Sequence, residues 1–191
     1  AKSGKHPETR VDNYAEWARR GGWSSSSGRG WANLSNAPFR MYKRYTHEGG
    51  VATPLIVHWP AEVRARGELR HAPGHLIDIA PTCLAAAGLT AKGMEGESLL
   101  PVFARDRKQE RTLFWEHEGN RAVRRGNYKL VALHDSPWEL YDMDRDRSEL
   151  NDLSRVMPGK VQELQRAYEA WARRVGAKPW NEVNVKRPKK N

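Results

Sequence analysis

The spacing of apolar residues divides the chain into two unlike parts. From about residue 107 the runs are short and strand-like: Thr112-Leu-Phe-Trp-Glu116, Arg121-Ala-Val-Arg124, Tyr128-Lys-Leu-Val-Ala-Leu133 and Trp138-Glu-Leu-Tyr141. β-Branched and aromatic residues recur in them, and Gly126-Asn127 offers a tight turn between the second and third. After Pro158 the period changes. Val161, Leu164, Tyr168, Trp171 and Val175 recur at spacings of three and four, closed by Gly176 and Pro179. That spacing predicts an amphipathic helix over about 158–175. An antiparallel meander carrying one packed helix is the expectation for roughly 107–178.

The first hundred residues read differently. Residues 1–31 are expected to be irregular, because Gly21-Gly-Trp-Ser-Ser-Ser-Ser-Gly-Arg-Gly30 cannot present a continuous apolar face. Leu55-Ile-Val-His-Trp59, bracketed by Pro54 and Pro60, predicts a buried strand. Residues 76–87 predict a buried helix, with Asp78 placed to cap it, Pro81 in its first turn and Gly88 at its end. No internal repeat is evident.

Composition narrows the possible classes. The chain has 191 residues and a net charge of +10, a length that suits one domain or one and a half. No stretch has the roughly 18 uninterrupted apolar residues of a membrane span. A single cysteine, Cys83, excludes an internal disulfide framework and any multi-cysteine metal site. The chain opens on Ala-Lys-Ser-Gly without an initiator Met or signal peptide, as expected of a processed, trimmed or partial chain. Charge does not single out a nucleic-acid partner. Lys186, Arg187, Lys189 and Lys190 form a short basic tail, and elsewhere the signs interleave as on a solvated surface.

Four features carry candidate chemistry. Cys83 lies among apolar helix residues and reads as a small buried hydrophobe rather than a nucleophile. Asp142, Asp144 and Asp146 imitate the start of a calcium loop, but Arg147 stands where Gly is needed and Leu153 where Glu is needed; they read as an acidic turn. His117 sits between Glu116 and Glu118 where a strand meets a turn. There it is either a carboxylate-bonded turn residue or an acid or ligand-binding donor. The densest constellation is Pro38-Phe-Arg-Met-Tyr-Lys43-Arg-Tyr-Thr-His-Glu48-Gly-Gly50, with three cations in five residues before a glycine pair. A lysine held beside such a turn suits a sulfate or phosphate oxygen, and a solvated basic strip has the same letters.

Those residues belong to a longer resemblance. Lys43-Arg-Tyr-Thr-His-Glu48-Gly-Gly-Val-Ala-Thr-Pro54-Leu-Ile-Val-His-Trp-Pro60 resembles the lysine-to-Glu-Gly-Gly segment of type I sulfatases, the arylsulfatase family. Gly30-Trp-Ala-Asn-Leu-Ser-Asn-Ala-Pro-Phe39 resembles the approach to that segment in bacterial arylsulfatases. The likeness continues in order through His75-Leu-Ile-Asp78-Ile-Ala-Pro-Thr82, Gly96-Glu-Ser-Leu-Leu-Pro101 and Phe114-Trp-Glu-His-Glu-Gly-Asn-Arg121. It then takes in Gly126-Asn-Tyr-Lys-Leu130, Trp138-Glu-Leu-Tyr-Asp142 and Glu149-Leu-Asn-Asp-Leu153, and covers roughly residues 30–180.

The resemblance implies an alkaline-phosphatase-like α/β sulfatase fold. Residues 1–106 would end its large domain, and 107–191 would form the small antiparallel subdomain with its helix and basic tail. It implies hydrolysis of a sulfate ester, with Lys43 as the lysine that contacts the sulfate and His117 bordering the substrate. Glu48, Gly49 and Gly50 would shape the turn. The implied substrate is a sulfated small molecule or sulfated glycan, and the implied compartment is periplasmic or extracellular. The family's formylglycine arises in a Cys-x-Pro-x-Arg-type motif, and Cys83-Leu-Ala-Ala-Ala87 is not one. Its calcium-binding aspartate pair is absent, and Asp12-Asn13, followed by Tyr14, does not reproduce the later Asp-Asn-Gly. The chain therefore reads as a C-terminal portion, inactive alone, with no metal ligands of its own and with calcium and formylglycine supplied from outside it. A phosphatase or phosphonate hydrolase of the same superfamily, or a non-catalytic polyanion-binding module, are the alternatives.

Overall fold

The computed structural model describes residues 28–64, 67–107 and 110–184. Its centre is a four-stranded antiparallel sheet, β1 (Thr112–His117), β2 (Asn120–Arg125), β3 (Tyr128–Ala132) and β4 (Glu139–Asp142), in sequential order. Before it come α1 (Gly28–Ser35), α2 (Glu48–Val51), a 3₁₀ turn (Leu76–Asp78), α3 (Ile79–Ala86) and α4 (Leu100–Ala104). After it come α5 (Pro158–Val175) and α6 (Trp180–Val183).

The strand register assigns the two faces of the sheet. Phe114 pairs with Val123, Val123 with Leu130, and Leu130 with Leu140, so these four share one face. Leu164 and Tyr168 of α5 close that face, and Phe114 stacks on Trp171 with ring centroids 5.0 Å apart. The period-3.6 stripe is what presents these residues together. Val175, at the end of the stripe, is 43% exposed. Gly176 ends the helix at φ 72°, a left-handed conformation that costs glycine no Cβ clash. Burial in this cluster pushes the Tyr168 hydroxyl up to about 12.

The second face is mixed. Ala122, Val131, Tyr141 and Met143 form its apolar centre, while Lys129, Arg124 and Glu139 share the same pleat. Buried charges require partners, and an upstream segment provides several of them. The 39–52 segment packs through an ionic cluster described below. The 75–111 segment is knotted around Asp78, which is fully buried and accepts from His75 N (2.7 Å), Glu97 N (3.0 Å) and Arg111 Nη2 (2.7 Å). Thr82 Oγ1 donates to the Asp78 carbonyl at 2.6 Å and accepts from Leu99 N at 2.9 Å. The outer edge of β4 is also bonded: Leu140 N donates to Asp152 Oδ1 at 2.9 Å, and Leu153 N to Leu140 O at 2.8 Å.

Several expectations for the first hundred residues are corrected. Residues 54–58 are exposed and form no strand, with Ile56 at 89%. A buried parallel-type strand needs neighbours on both sides, and no described segment pairs with this one. Residues 76–87 form the 3₁₀ turn and α3 rather than one buried helix; only Asp78, Pro81 and Thr82 are buried, and Leu76 is 86% exposed. Asp78 makes no side-chain cap bond to α3, because its carboxylate turns back to His75. Cys83 is exposed, not buried, since α3 packs only by its Pro81–Thr82 side. Residues 28–31 are helical rather than irregular, helped by bonds one turn back from Asn33 to Arg29 O and from Ser35 to Trp31 O. The remainder of the Gly/Ser-rich stretch, the Asp12-Asn13 pair and the basic tail lie outside the described residues.

Candidate functional site

Lys43 sits in a turn closed by Tyr45 N donating to Tyr42 O at 3.1 Å. Its side chain is exposed. The backbone around it is unusual: Met41 and Arg44 have φ of 65° and 104°, which non-glycine residues seldom adopt. Such a loop keeps its shape only when its surroundings hold it.

Two glycines allow the loop to close on itself. Gly49 N donates to Arg40 O at 2.8 Å. A Cβ on Gly49 would fall 2.2 Å from Met41 O, and one on Gly50 would fall 2.0 Å from Tyr45 O. Only residues without a side chain let α2 approach the loop this closely.

Both ends of the loop are tied down through charged groups, buried at the downstream end and half-buried at the upstream end. Downstream, the Glu48 carboxylate accepts from Lys129 Nζ (2.9 Å) and Arg147 Nη2 (3.3 Å). Glu48 N donates to Glu149 Oε2 at 2.9 Å, and Lys129 Nζ lies 2.8 Å from Glu149 Oε1. Lys129 and Glu149 are both fully buried. Burial pushes the Glu48 carboxyl upward, but the Lys129 and Arg147 cations outweigh it and hold the group below its ordinary range. Upstream, Arg40 Nη1 donates to Tyr141 Oη (2.8 Å), Glu149 O (2.8 Å) and Glu139 Oε2 (3.2 Å).

Glu139 collects three partners. Its Oε2 lies 3.3 Å from His47 Nε2, accepts from the Tyr141 hydroxyl at 2.5 Å, and faces Arg40. The His47 bond is the largest cause that holds its carboxyl down at about 2, with Tyr141 and Arg40 adding to it against an upward push from burial. The Tyr141 hydroxyl is pushed well above its ordinary value, by burial first and then by Glu139. A carboxyl depressed in the folded state stabilises the fold fully above its unfolded pKa and loses that contribution as pH falls through its folded value. Stability should therefore decline from about pH 4.5 toward pH 2 with a component that Glu139→Gln removes. Acid titration of the unfolding midpoint in both proteins checks this, and equal slopes would contradict it.

The same loop meets the β1–β2 hairpin. Arg44 pairs with Glu118, and Asn120 Nδ2 donates to Arg44 O at 3.3 Å and to His117 O at 2.9 Å. His117 ends β1 and is exposed. The fold thus brings the chain neighbours of Lys43 and His117 into direct contact, with both side chains open to solvent. Asp142 and Asp146 instead bind backbone N–H groups, Asp142 that of Asp144 and Asp146 those of Leu150 and Asn151. Among the described residues no group of three or more His, Cys, Asp or Glu side chains is placed to hold a metal ion.

Arg40 and His47 lie in the basic constellation without a role of their own in the sequence pattern, and Lys129, Glu139 and Glu149 lie outside it. Lys129 carried a signal, as a lysine inside an apolar strand on the same face as Val131. Glu149 carried none, because two of its partners, Arg40 and Glu48, lie about a hundred positions upstream.

Comparison with known proteins follows this geometry. The family described as N-sulphoglucosamine sulphohydrolase, C-terminal, matches residues 39–171, which include the loop, the ionic cluster, the sheet and most of α5. An uncharacterised sulfatase of Schizosaccharomyces pombe is 30% identical over 151 residues, covering 70% of this chain and 27% of the relative. The N-acetylgalactosamine-6-sulfatase of Homo sapiens is 38% identical over 84 residues, covering 42% of this chain and 16% of the relative. Among solved structures, Ps i-CgsB superposes with a TM-score of 0.64 at 26% identity, over 73% of this chain and 34% of its own. The chain thus spans about a quarter of the length of the first of these relatives, at 27%. The antiparallel sheet with its helix is the C-terminal subdomain of the alkaline-phosphatase-like fold. The chain belongs to the type I sulfatase family and matches its C-terminal portion.

Proposed function

We propose that this chain supplies the sulfate-facing lysine and one wall of the substrate pocket in an enzyme that hydrolyses sulfate esters of saccharides. One observation carries the reading: the Lys43 loop, held downstream by the buried Glu48–Lys129–Glu149 cluster and upstream by the half-buried Arg40, docks on the β1–β2 hairpin beside His117. An ammonium carried on a fixed backbone offsets negative charge on the sulfuryl oxygens and on the departing ester oxygen, and a preorganised charge is worth more than a mobile one. His117 stands where an imidazole can hydrogen-bond a sugar hydroxyl or ring substituent. The relative named N-acetylgalactosamine-6-sulfatase supports a sulfated saccharide over other sulfate esters.

Calcium and formylglycine belong to the whole enzyme in this reading and come from sequence outside the chain. Cys83 lies on an exposed helix and precedes Leu84 and three alanines, so these residues fit neither group, and no step is derived through either. Residues 1–106 are assigned to the end of the large domain and 107–191 to the small subdomain, in a periplasmic or secreted protein.

The test is product release by the full-length protein from 4-nitrophenyl sulfate, a sulfated N-acetylhexosamine and 4-nitrophenyl phosphate. Sulfate release at the higher kcat/KM supports the proposal, and this chain alone should release none. Preference for the phosphate ester would replace it with a phosphatase reading. Retention on heparin with no turnover of any ester would replace it with a binding module.

A further inference from the structure

We infer that Glu149 is a positioning residue for Lys43, fixing both ends of the loop that carries the sulfate-facing ammonium. The inference rests on the reading of Lys43 given above. Two hydrogen bonds and an ion pair converge on this one residue. Its carbonyl accepts from Arg40 at 2.8 Å, three positions before Lys43. Its Oε2 accepts from Glu48 N at 2.9 Å, five positions after Lys43. Its Oε1 lies 2.8 Å from Lys129 Nζ, which in turn holds the Glu48 carboxylate at 2.9 Å.

Glu149 is itself held firmly. It is fully buried, and its φ of 58° is a strained conformation for a residue with a side chain. Asp146 fixes the turn around it, accepting from Glu149 N through its carbonyl and from Leu150 and Asn151 N through its carboxylate. A loop without this clamp could carry its lysine over several ångströms, and a displacement of about 1 Å at a reacting group can cost about a hundredfold in rate.

A carboxylate suits the role because both partners are donors. Glutamine keeps the volume but has one acceptor oxygen, so its NH₂ must face either the Lys129 ammonium or the Glu48 N–H. Glu149→Gln therefore loosens the clamp while leaving Lys43 and the loop sequence unchanged. Arg40→Lys removes the Nη1 donor at the upstream end and leaves the Glu48–Lys129–Glu149 cluster intact.

The experiment measures kcat and KM of the full-length enzyme for 4-nitrophenyl sulfate in E149Q and R40K, each alone and combined with K43A. Each single variant should lower kcat by about tenfold or more with a smaller change in KM. On the K43A background each should cost less than about twofold, because the residue acts through a lysine already removed. Full losses that persist on the K43A background would overturn the inference, as would wild-type kcat in either folded variant. Where E149Q does not fold, as judged by its melting transition, R40K decides. Unimpaired activity of K43A would instead defeat the reading of Lys43 itself, so the two failures are distinguishable.

Discussion

Lys43→Ala in the full-length enzyme is expected to lower kcat/KM for sulfate-ester hydrolysis by about 10²–10³-fold, the cost of removing one preorganised charge-stabilising donor. The side chain is exposed and makes no hydrogen bond or ion pair with a described residue. Its removal therefore costs the fold little, and the melting temperature should stay within the narrow range of ordinary surface substitutions. Lys43→Arg should recover part of the rate, because a guanidinium keeps the charge but not the compact geometry of the ammonium. Steady-state kinetics beside a thermal melt separates the outcomes. A rate loss without a stability loss places Lys43 in the chemistry, whereas parallel losses would make it part of the scaffold.

Lys129→Ala is expected to give the opposite pattern, a large loss of stability. Lys129 is fully buried between Glu48 Oε1 at 2.9 Å and Glu149 Oε1 at 2.8 Å. Its removal leaves two carboxylates side by side in a site that water does not reach. Breaking a buried ion pair from one side costs about 3–5 kcal/mol. Arg147 compensates only in part, since its side chain is 56% exposed and it reaches Glu48 alone. The deficit should shrink as pH falls, because protonation removes the repulsion between the stranded carboxylates. Lys129→Met combined with Glu149→Gln should be less destabilised than Lys129→Met alone, with one charge fewer to strand. Urea unfolding of the full-length protein at constant m-value reads each change. A loss of unfolding free energy under about 1 kcal/mol for Lys129→Ala would show that the cluster is not the anchor described.

These two residues also mark what a linear reading of the chain captures. The meander and α5 were legible because their signals are local: alternating strands, a Gly126-Asn127 turn, and a three-and-four spacing ended by Gly176. The apolar runs at 55–59 and 76–87 were misread as buried, because burial is a property of neighbours and not of a segment. Asp78 was assigned to a helix cap by its position, but Arg111, thirty-three positions later, supplies a stronger partner. In the site, three cations and a glycine pair fit an anion-facing lysine and a solvated basic strip equally, and only family resemblance assigns Lys43 to the sulfate. The clamp around it was invisible in the sequence. Arg40 and Glu149 look like surface charges there, and they join Lys129 as a unit only when the fold brings Arg40 and Glu48, about a hundred positions upstream, within 3 Å of Glu149.

The central claim is that Lys43 faces the sulfate group in the assembled enzyme. The most direct measurement is a crystal structure of the full-length protein with bound inorganic sulfate or an uncleaved sulfate ester. Lys43 Nζ should lie within about 3 Å of a sulfate oxygen, at charge-assisted hydrogen-bond distance, with the Glu149 contacts to Arg40 and Glu48 intact. A sulfate seated in the active site with Lys43 turned to solvent would contradict it.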